Sequence, residues 1–385
     1  MSPGPRIYCD YNATAPLRPE AKAAMAHALE QTGNPSSVHA EGRRARGVVE
    51  GAREVVAAAV GACRDDIAFT SGGTEAVGLA LRGAVRAVEN AVLVASAIEH
   101  DAVTTIAAQT AEWPVRSDGV VDLDWLRARV KEIAAQSGRP LVSLMLVNNE
   151  TGVIQPVAEA AEIVHAAGGL LHCDAIQALG KIEVSVVDLD VDYLSLSAHK
   201  VGGPQGIGAT YVKGGAPFAA VQTGGGQEFG RRAGTENVAG IAGFAAAAEA
   251  ALHGMGAYVE LGQHRDRMEQ RLKAAAPSLV VHGASAPRVA GVSCFGVEGL
   301  PSETQIMGLD LAGFAVSAGS ACSSGKVKPS RVLTAMGLND TAARSAIRAS
   351  FGWASSWQDF DALADAWIKM AARARPQLVK MDAHV

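Results

Sequence analysis

In 193-YLSLSAHKVGGPQGIGATYV-212 a β-rich run, 193-YLSLS-197, ends in a polar turn, 198-AHKVGGPQGIG-208, and a second run, 207-IGATYV-212, follows. Working outward, similar short runs occur at 67-IAFT-70, 92-VLVAS-96, 141-LVSLMLV-147 and 170-LLHCD-174. Amphipathic segments lie between several of them, such as 122-DLDWLRARVKEIAAQ-136 and 156-PVAEAAEIVHAAG-168. Continuous apolar strands separated by helices predict an α/β unit with a mostly parallel sheet covered by helices on both faces.

After the Ala-rich helix 238-VAGIAGFAAAAEAAL-252 the rhythm changes. A long charged helix, 257-AYVELGQHRDRMEQRLKAAA-276, precedes 292-VSCFGV-297, a helix, 314-FAV-316, 346-AIRASFG-352 and a last helix. The pattern predicts a large unit over 15–255 and a smaller α+β unit built from 1–14 and 256–385. The Ala-rich stretch is short and carries Glu249, which suits a buried helix better than a membrane span.

Composition narrows the function. Hydrophobic residues are 49%, charged residues 19%, the net charge is −5 and the pI is near 6.1, as in ordinary globular proteins. That balance carries no footprint for direct nucleic-acid binding, and the N-terminus lacks the apolar core of a signal peptide. The five cysteines, Cys9, Cys63, Cys173, Cys294 and Cys322, are widely spaced and form no CxxC pair. A reducing cytoplasm is expected, with no membrane association.

Ligands of open α/β sheets collect beyond the carboxyl ends of the strands. Here those ends carry 71-SGGTEAVGLAL-81, Glu99 with His100, 148-NNETG-152, 174-DAIQ-177 and 198-AHKVGGPQGIG-208. The turn before 73–81 opens a helix whose free N–H groups, with the Thr74 hydroxyl, suit a phosphate. Gly202, Gly203 and Gly206 suggest close backbone approach around Lys200. A lysine able to form a Schiff base, an acid for a pyridinium nitrogen, a stacking aromatic and a helix N-terminus are what pyridoxal 5′-phosphate requires. Lys200, Asp174, His100 and Thr74 supply them in that order, and Gln177 could hydrogen-bond the ring's phenolic oxygen.

These residues resemble a known family. The motifs 8-YCDYNATAP-16, 33-GNPSSVHAEGR-43, 69-FTSGGTE-75, 99-EH-100, 148-NNETG-152, 172-HCDAIQ-177, 197-SAHKVGGPQGIG-208, 224-GGGQEFGRRAGTEN-237, 317-SAGSACSS-324 and 347-IRASFG-352 are similar to those of the NifS/IscS-like cysteine desulfurases. The resemblance covers nearly the whole chain. It implies pyridoxal-phosphate fold type I, with a seven-stranded sheet, in the class-V aminotransferase group. It implies that Lys200 is the Schiff-base lysine, His100 the ring-stacking proton shuttle and Asp174 the partner of the ring nitrogen. Asn149 and Gln177 match cofactor-orienting amides, and Gly73, Thr74, Ser197 and His199 match the phosphate site. Thr235 matches a threonine that reaches the phosphate of the neighbouring subunit. Arg348 matches the arginine for the substrate carboxylate, with Asn12 and Asn34 beside it. Ile176, Gly73 and Ala233 stand where the family more often has alanine, alanine and serine.

The same resemblance explains a cysteine set among serines, glycines and lysines in 317-SAGSACSSGKVKP-329. It makes Cys322 the nucleophile that takes sulfur from L-cysteine, leaving alanine and an enzyme persulfide for an acceptor protein such as an iron–sulfur scaffold. A nearby cation, His100 or Lys326, would favour the Cys322 thiolate. Cys63, Cys173 and Cys294 are expected in the core, while Cys9 is open between core and site. His172 and Cys173 point to opposite faces of one strand, so no metal is expected. A homodimer is expected from Thr235 and from a Gly-rich loop without an obvious use in its own subunit. Alternatives are a selenocysteine lyase, another pyridoxal-phosphate β-lyase or aminotransferase, and a non-catalytic sulfur or cofactor carrier.

Overall fold

The computed structural model describes residues 6–108, 112–318 and 329–379. Its strands are β1 (Ile7–Tyr8), β2 (Ile67–Thr70), β3 (Ala91–Ser96), β4 (Glu112–Trp113), β5 (Arg139–Met145), β6 (Leu170–Asp174) and β7 (Tyr193–Ser197). They continue with β8 (Gly208–Val212), β9 (Val280–Val281), β10 (Val292–Gly296), β11 (Phe314–Ala315), β12 (Ser317–Ala318) and β13 (Ala346–Ser350). The helices are α1 (Pro19–Leu29), α2 (Ala40–Ala58), α3 (Gly73–Ala87), α4 (Asp101–Thr104), α5 (Leu123–Ala135) and α6 (Val157–Ala166). After them come α7 (Val238–His253), α8 (Met255–Ala275), α9 (Ser302–Leu311), α10 (Arg331–Ala335), α11 (Asp340–Arg344) and α12 (Trp357–Ala374).

The large sheet has seven strands in the order β2-β8-β7-β6-β5-β3-β4. Pairs among β7, β6, β5, β3 and β4 are parallel, while β8 runs antiparallel to both β7 and β2. Two reversals restore direction, so β2 ends at the same edge as the parallel strands. Strands β2, β6, β7 and β8 are buried at every position, which is why they read as apolar runs rather than alternating ones.

The register brings Thr70 and Ser197 to either side of Gly208. A Cβ there would lie 2.7 Å from the Gly72 carbonyl carbon and 2.7 Å from the Leu196 oxygen, so only glycine lets these strand ends close up. The Ala-rich helix α7 is buried as expected. Its Gly243 meets Met25 of α1 so closely that a Cβ would stand 2.6 Å from the methionine Cγ. Helices α7 and α8 bend by 61° across Gly254, and no single described helix is long and apolar enough to cross a membrane.

A second sheet, β12-β13-β10-β9, is antiparallel and carries Arg348 on its β13 strand. The N-terminal segment joins this region: Ile7 and Tyr8 pair with Phe314 and Ala315, and Asp10 bridges to Ser350. Residues 12–14 then run across to Lys200 on the large sheet, as the hydrogen bonds below show.

Candidate active site

After Ser197 the chain makes one 3₁₀ turn, Ala198–Lys200, which lifts the lysine over the end of β7. Lys200 Nζ donates to the carbonyls of Asn12 at 2.6 Å and Ala13 at 2.8 Å. Burial, then the like charge of Arg348, lowers the Lys200 pKa to about 8, against the pull of Asp10 and Asp174. The surrounding glycines have different jobs. A Cβ on Gly203 would press Ala198 at 2.9 Å, whereas Gly206 has open space around it and is glycine for its φ of +79°. Close backbone approach, expected at all three glycines, therefore does not hold at Gly206.

Asp174 ends β6, buried, with Oδ1 accepting the Ile176 N–H at 2.9 Å. Burial raises its pKa, opposed by that hydrogen bond and by the charges of His100 and Lys200. His100 caps α4: its Nδ1 accepts the Ala102 N–H at 3.1 Å, so a neutral ring carries its proton on Nε2. Two sequence-distant residues meet through Asn149, whose carbonyl accepts from Asn12 Nδ2 at 3.0 Å and Arg348 Nη1 at 3.1 Å. Gln177 Nε2 donates to the Asn12 carbonyl at 2.8 Å, the oxygen that Lys200 also uses. Lys200, Asn12, Gln177, Asn149 and Arg348 thus form one connected set. Asp174 interacts electrostatically with Lys200 of this set, and His100 with Asp174.

The N-terminus of α3 forms the second corner. Its first N–H groups have no acceptor within the helix, and Ser197 lies against it: a Cβ on Gly73 would be 3.2 Å from Ser197 Cβ. The Ser197 hydroxyl is buried without a hydrogen-bond partner. Thr74 is exposed on the same turn. His199 Nδ1 lies 3.2 Å from Thr14 Oγ1, and burial with the Lys200 charge lowers its pKa to about 4, leaving a neutral ring near pH 7.

Two expected site residues stand apart within one chain. Asn34 is exposed and its Oδ1 accepts the Ser36 N–H at 2.9 Å, closing a local turn. Thr235 is exposed and lines a cleft of about 210 Å³ with Thr70, Ser71 and Arg232. Cys322 and Lys326 lie outside the described residues.

The Gly-rich loop does have a use in its own subunit, contrary to expectation. Glu228, buried, pairs with buried Arg53 at 2.5 Å and accepts the Phe69 N–H at 2.8 Å. Arg232 adds an ion pair with Glu75 at 2.8 Å. Cys63 also departs from expectation, being exposed at the start of the turn before β2, where no apolar layer covers it. Cys9, Cys173 and Cys294 are buried, and burial pushes all three thiols up, away from the reactive thiolate.

Sequence reasoning passed over three charged residues of the site. Asp10 accepts Arg348 Nη2 at 2.7 Å and the Ser317 hydroxyl at 2.7 Å. Glu150 accepts the Ser330 hydroxyl at 2.5 Å. Lys181 is buried beside Gln177. Asp10 and Glu150 lie inside motifs already quoted, which was the available signal.

The donor set fits pyridoxal phosphate. The unpartnered Ser197 hydroxyl and the start of α3 would suit its dianionic phosphate, Asp174 would suit its ring nitrogen, and Lys200, with its lowered pKa, would suit its aldehyde. The buried Arg348 Nε is also without a partner. Fold and site together define a pyridoxal-phosphate enzyme of the aminotransferase architecture.

Comparison with known proteins narrows the class. The aminotransferase class-V family model matches residues 7–363. A cysteine desulfurase of Cereibacter sphaeroides is 42% identical over 369 residues, covering 93% of this chain and 94% of that protein. The cysteine desulfurase IscS of Dictyoglomus turgidum is 38% identical over 366 residues, covering 92% of each. The crystal structure of a NifS-like protein from Rickettsia africae superposes with a TM-score of 0.86 at 30% identity, covering 95% of this chain and 99% of that one. The chain belongs to the class-V aminotransferase family and, within it, to the cysteine desulfurases.

Proposed function

We propose that this chain removes sulfur from L-cysteine, releasing L-alanine and leaving a persulfide on Cys322 that passes to an acceptor protein. The observation that carries this reading is the Asn12 junction, which links a lysine of lowered pKa to an arginine with an unpartnered Nε.

Pyridoxal phosphate, when bound, supplies an electron sink that stabilises negative charge at the substrate Cα. Lys200 would hold it covalently, and its Nζ, when free, would take the substrate Cα proton. Asp174 keeps the ring nitrogen protonated, while Ser197, Gly73, Thr74 and His199 hold the phosphate. Asn149 and Gln177 orient the ring, and Arg348 with Asn12 binds the substrate carboxylate. His100 would stack on the ring, with Nε2 as the nitrogen free to carry a proton. The Cys322 thiolate attacks the substrate sulfur: an S–S bond forms, the Cβ–S bond breaks with its electron pair staying on carbon, a proton is added at Cβ, and Lys200 Nζ returns a proton to Cα to complete alanine.

In this reading the enzyme is a cytoplasmic homodimer, with Thr235 reaching the phosphate of the partner's site. Residues 15–255 bind the cofactor, and 1–14 with 256–385 carry the substrate arginine and Cys322. An iron–sulfur scaffold is the acceptor class.

The test measures alanine released from L-cysteine by wild type and Cys322→Ser, each yellow with bound cofactor. Turnover by wild type and none by the variant supports the reading. Equal alanine from both overturns it in favour of a lyase that frees sulfide without a persulfide.

A further inference from the structure

Lys181 is the most deeply buried lysine of the site, only 7% exposed, and its ammonium forms no ion pair with any described carboxylate. Buried lysines ordinarily recruit an acid. Here Nζ donates instead to two carboxamide oxygens, Asn12 Oδ1 at 2.8 Å and Gln177 Oε1 at 2.7 Å. The local fold aims it there. Gly180 turns at φ +73° against α7, where a Cβ would press Ala251 at 2.6 Å, and the next residue swings inward.

A carboxamide has a donor end and an acceptor end of nearly equal shape, so packing alone barely decides which way it faces. A lysine whose N–H groups point at both oxygens decides it. With Oδ1 and Oε1 both claimed by Lys181, Asn12 Nδ2 must face the Asn149 carbonyl and Gln177 Nε2 must face the Asn12 carbonyl. Gln177 then keeps one N–H for the cofactor's phenolic oxygen. Flipped, it would present an oxygen to that oxygen, and repulsion would replace a hydrogen bond.

We propose that Lys181 is a positioning residue for the cofactor: acting through the carboxamides of Gln177 and Asn12, it holds the N–H of Gln177 toward the ring oxygen. The inference rests on the pyridoxal-phosphate reading above. Burial, then the nearby charges of Lys200 and Arg348, lowers the Lys181 pKa, and in either protonation state the amine has two N–H groups for the two carboxamide oxygens.

The test is a pH titration of the visible absorption band of the loaded enzyme. Stabilising the anionic ring oxygen holds the apparent pKa of that band down. Lys181→Met is expected to bind cofactor about tenfold more weakly and to move the titration up by about one pH unit, the low end of what one lost hydrogen bond to a charged oxygen does. Lys181→Arg, still a donor-only cation, restores the wild-type titration. In a Gln177→Ala background Lys181→Met moves it no further, because the effect travels through that amide. Should Lys181→Met fail to fold, Lys181→Gln carries the same expectation, since glutamine can face either amide either way. An unchanged titration in the folded variant, or equal shifts with and without Gln177, overturns the inference and leaves the pyridoxal-phosphate reading standing. A wild-type chain that takes up no cofactor overturns both.

Discussion

Lys200 should react with carbonyl compounds far faster at neutral pH than an ordinary lysine, and the cause is local. With a pKa of about 8 instead of 10.5, roughly a tenth of the amine is neutral at pH 7. An unperturbed lysine offers roughly three parts in ten thousand, so the reactive fraction rises about 300-fold. The assay is stopped-flow uptake of pyridoxal phosphate by cofactor-free protein from pH 6 to 11, each rate divided by that of a free lysine derivative. The normalised rate should be high at pH 7 and decline toward that of the free amine as both deprotonate. Arg348→Gln removes the second cause of the depression, so its apparent pKa should rise and its rate at pH 7 should fall. The stability of the cofactor-free chain has a linked sign. Between pH 8 and 10.5 the unfolded lysine binds more protons than the folded one, so Lys200 makes the fold more stable as pH rises. An apparent pKa above about 9.5 in wild type, or no upward move in Arg348→Gln, would refute the argument that burial and Arg348 set this amine.

Glu99, buried with the Asp174 charge nearby, is raised to about 8, so it favours the fold below its ordinary pKa of 4.5 and loses that contribution as pH rises through 8. Glu99→Gln, isosteric with the protonated form, should therefore flatten the fall in denaturation midpoint between pH 5 and 8.5; parallel curves would contradict this. Glu228→Gln leaves Arg53, buried between Phe69 and Phe229, with only the longer 3.4 Å ion pair to the half-buried Glu50 carboxylate, and should cost about 3 kcal/mol in urea unfolding, the low end for a broken buried pair. A loss under 1 kcal/mol would show that the pair is not what anchors the loop.

The parallel part of the large sheet was legible because strands buried on both faces leave unbroken apolar runs. The antiparallel β2–β8 pair was not, because it joins Ile67–Thr70 to Gly208–Val212, far apart in sequence, and nothing local marks its direction. Lys200 and Asp174 announced themselves at strand ends, where chemistry is expected. Lys181 did not: a lysine after a glycine in a turn reads as solvent-facing, and only the packing of Gly180 on α7 turns it inward. Glu228 was hidden in the same way, by a Gly-rich loop that looked free until Arg53 appeared beneath it. Cys63 erred in the other direction, since an apolar residue type beside a helix suggests a core that the turn does not provide.

The N-terminal segment explains why two sheets can act as one site. Lys200 is fixed to the large sheet and Arg348 to β13, and no hydrogen bond joins them directly among the described residues. Asn12 gives its carbonyl to Lys200 and Gln177, its Oδ1 to Lys181, and its Nδ2 to the Asn149 carbonyl that also receives Arg348. Two residues earlier Asp10 bridges to Ser350 and takes the other side of Arg348. The distance between the amine and the guanidinium is therefore set by a short stretch of backbone rather than by the packing of large surfaces. The described residues flanking the Cys322 segment are tied to the same region, Ser317 through Asp10 and Ser330 through Glu150. Burial raises Glu150 while Ser330 and Arg348 oppose it, so that carboxylate, like Asp10, answers to the arginine's charge. Under the proposed function, carboxylate recognition at Arg348 and the anchoring of the residues that flank Cys322 would draw on the same charges, Asp10 and Glu150, which would link substrate binding to sulfur transfer.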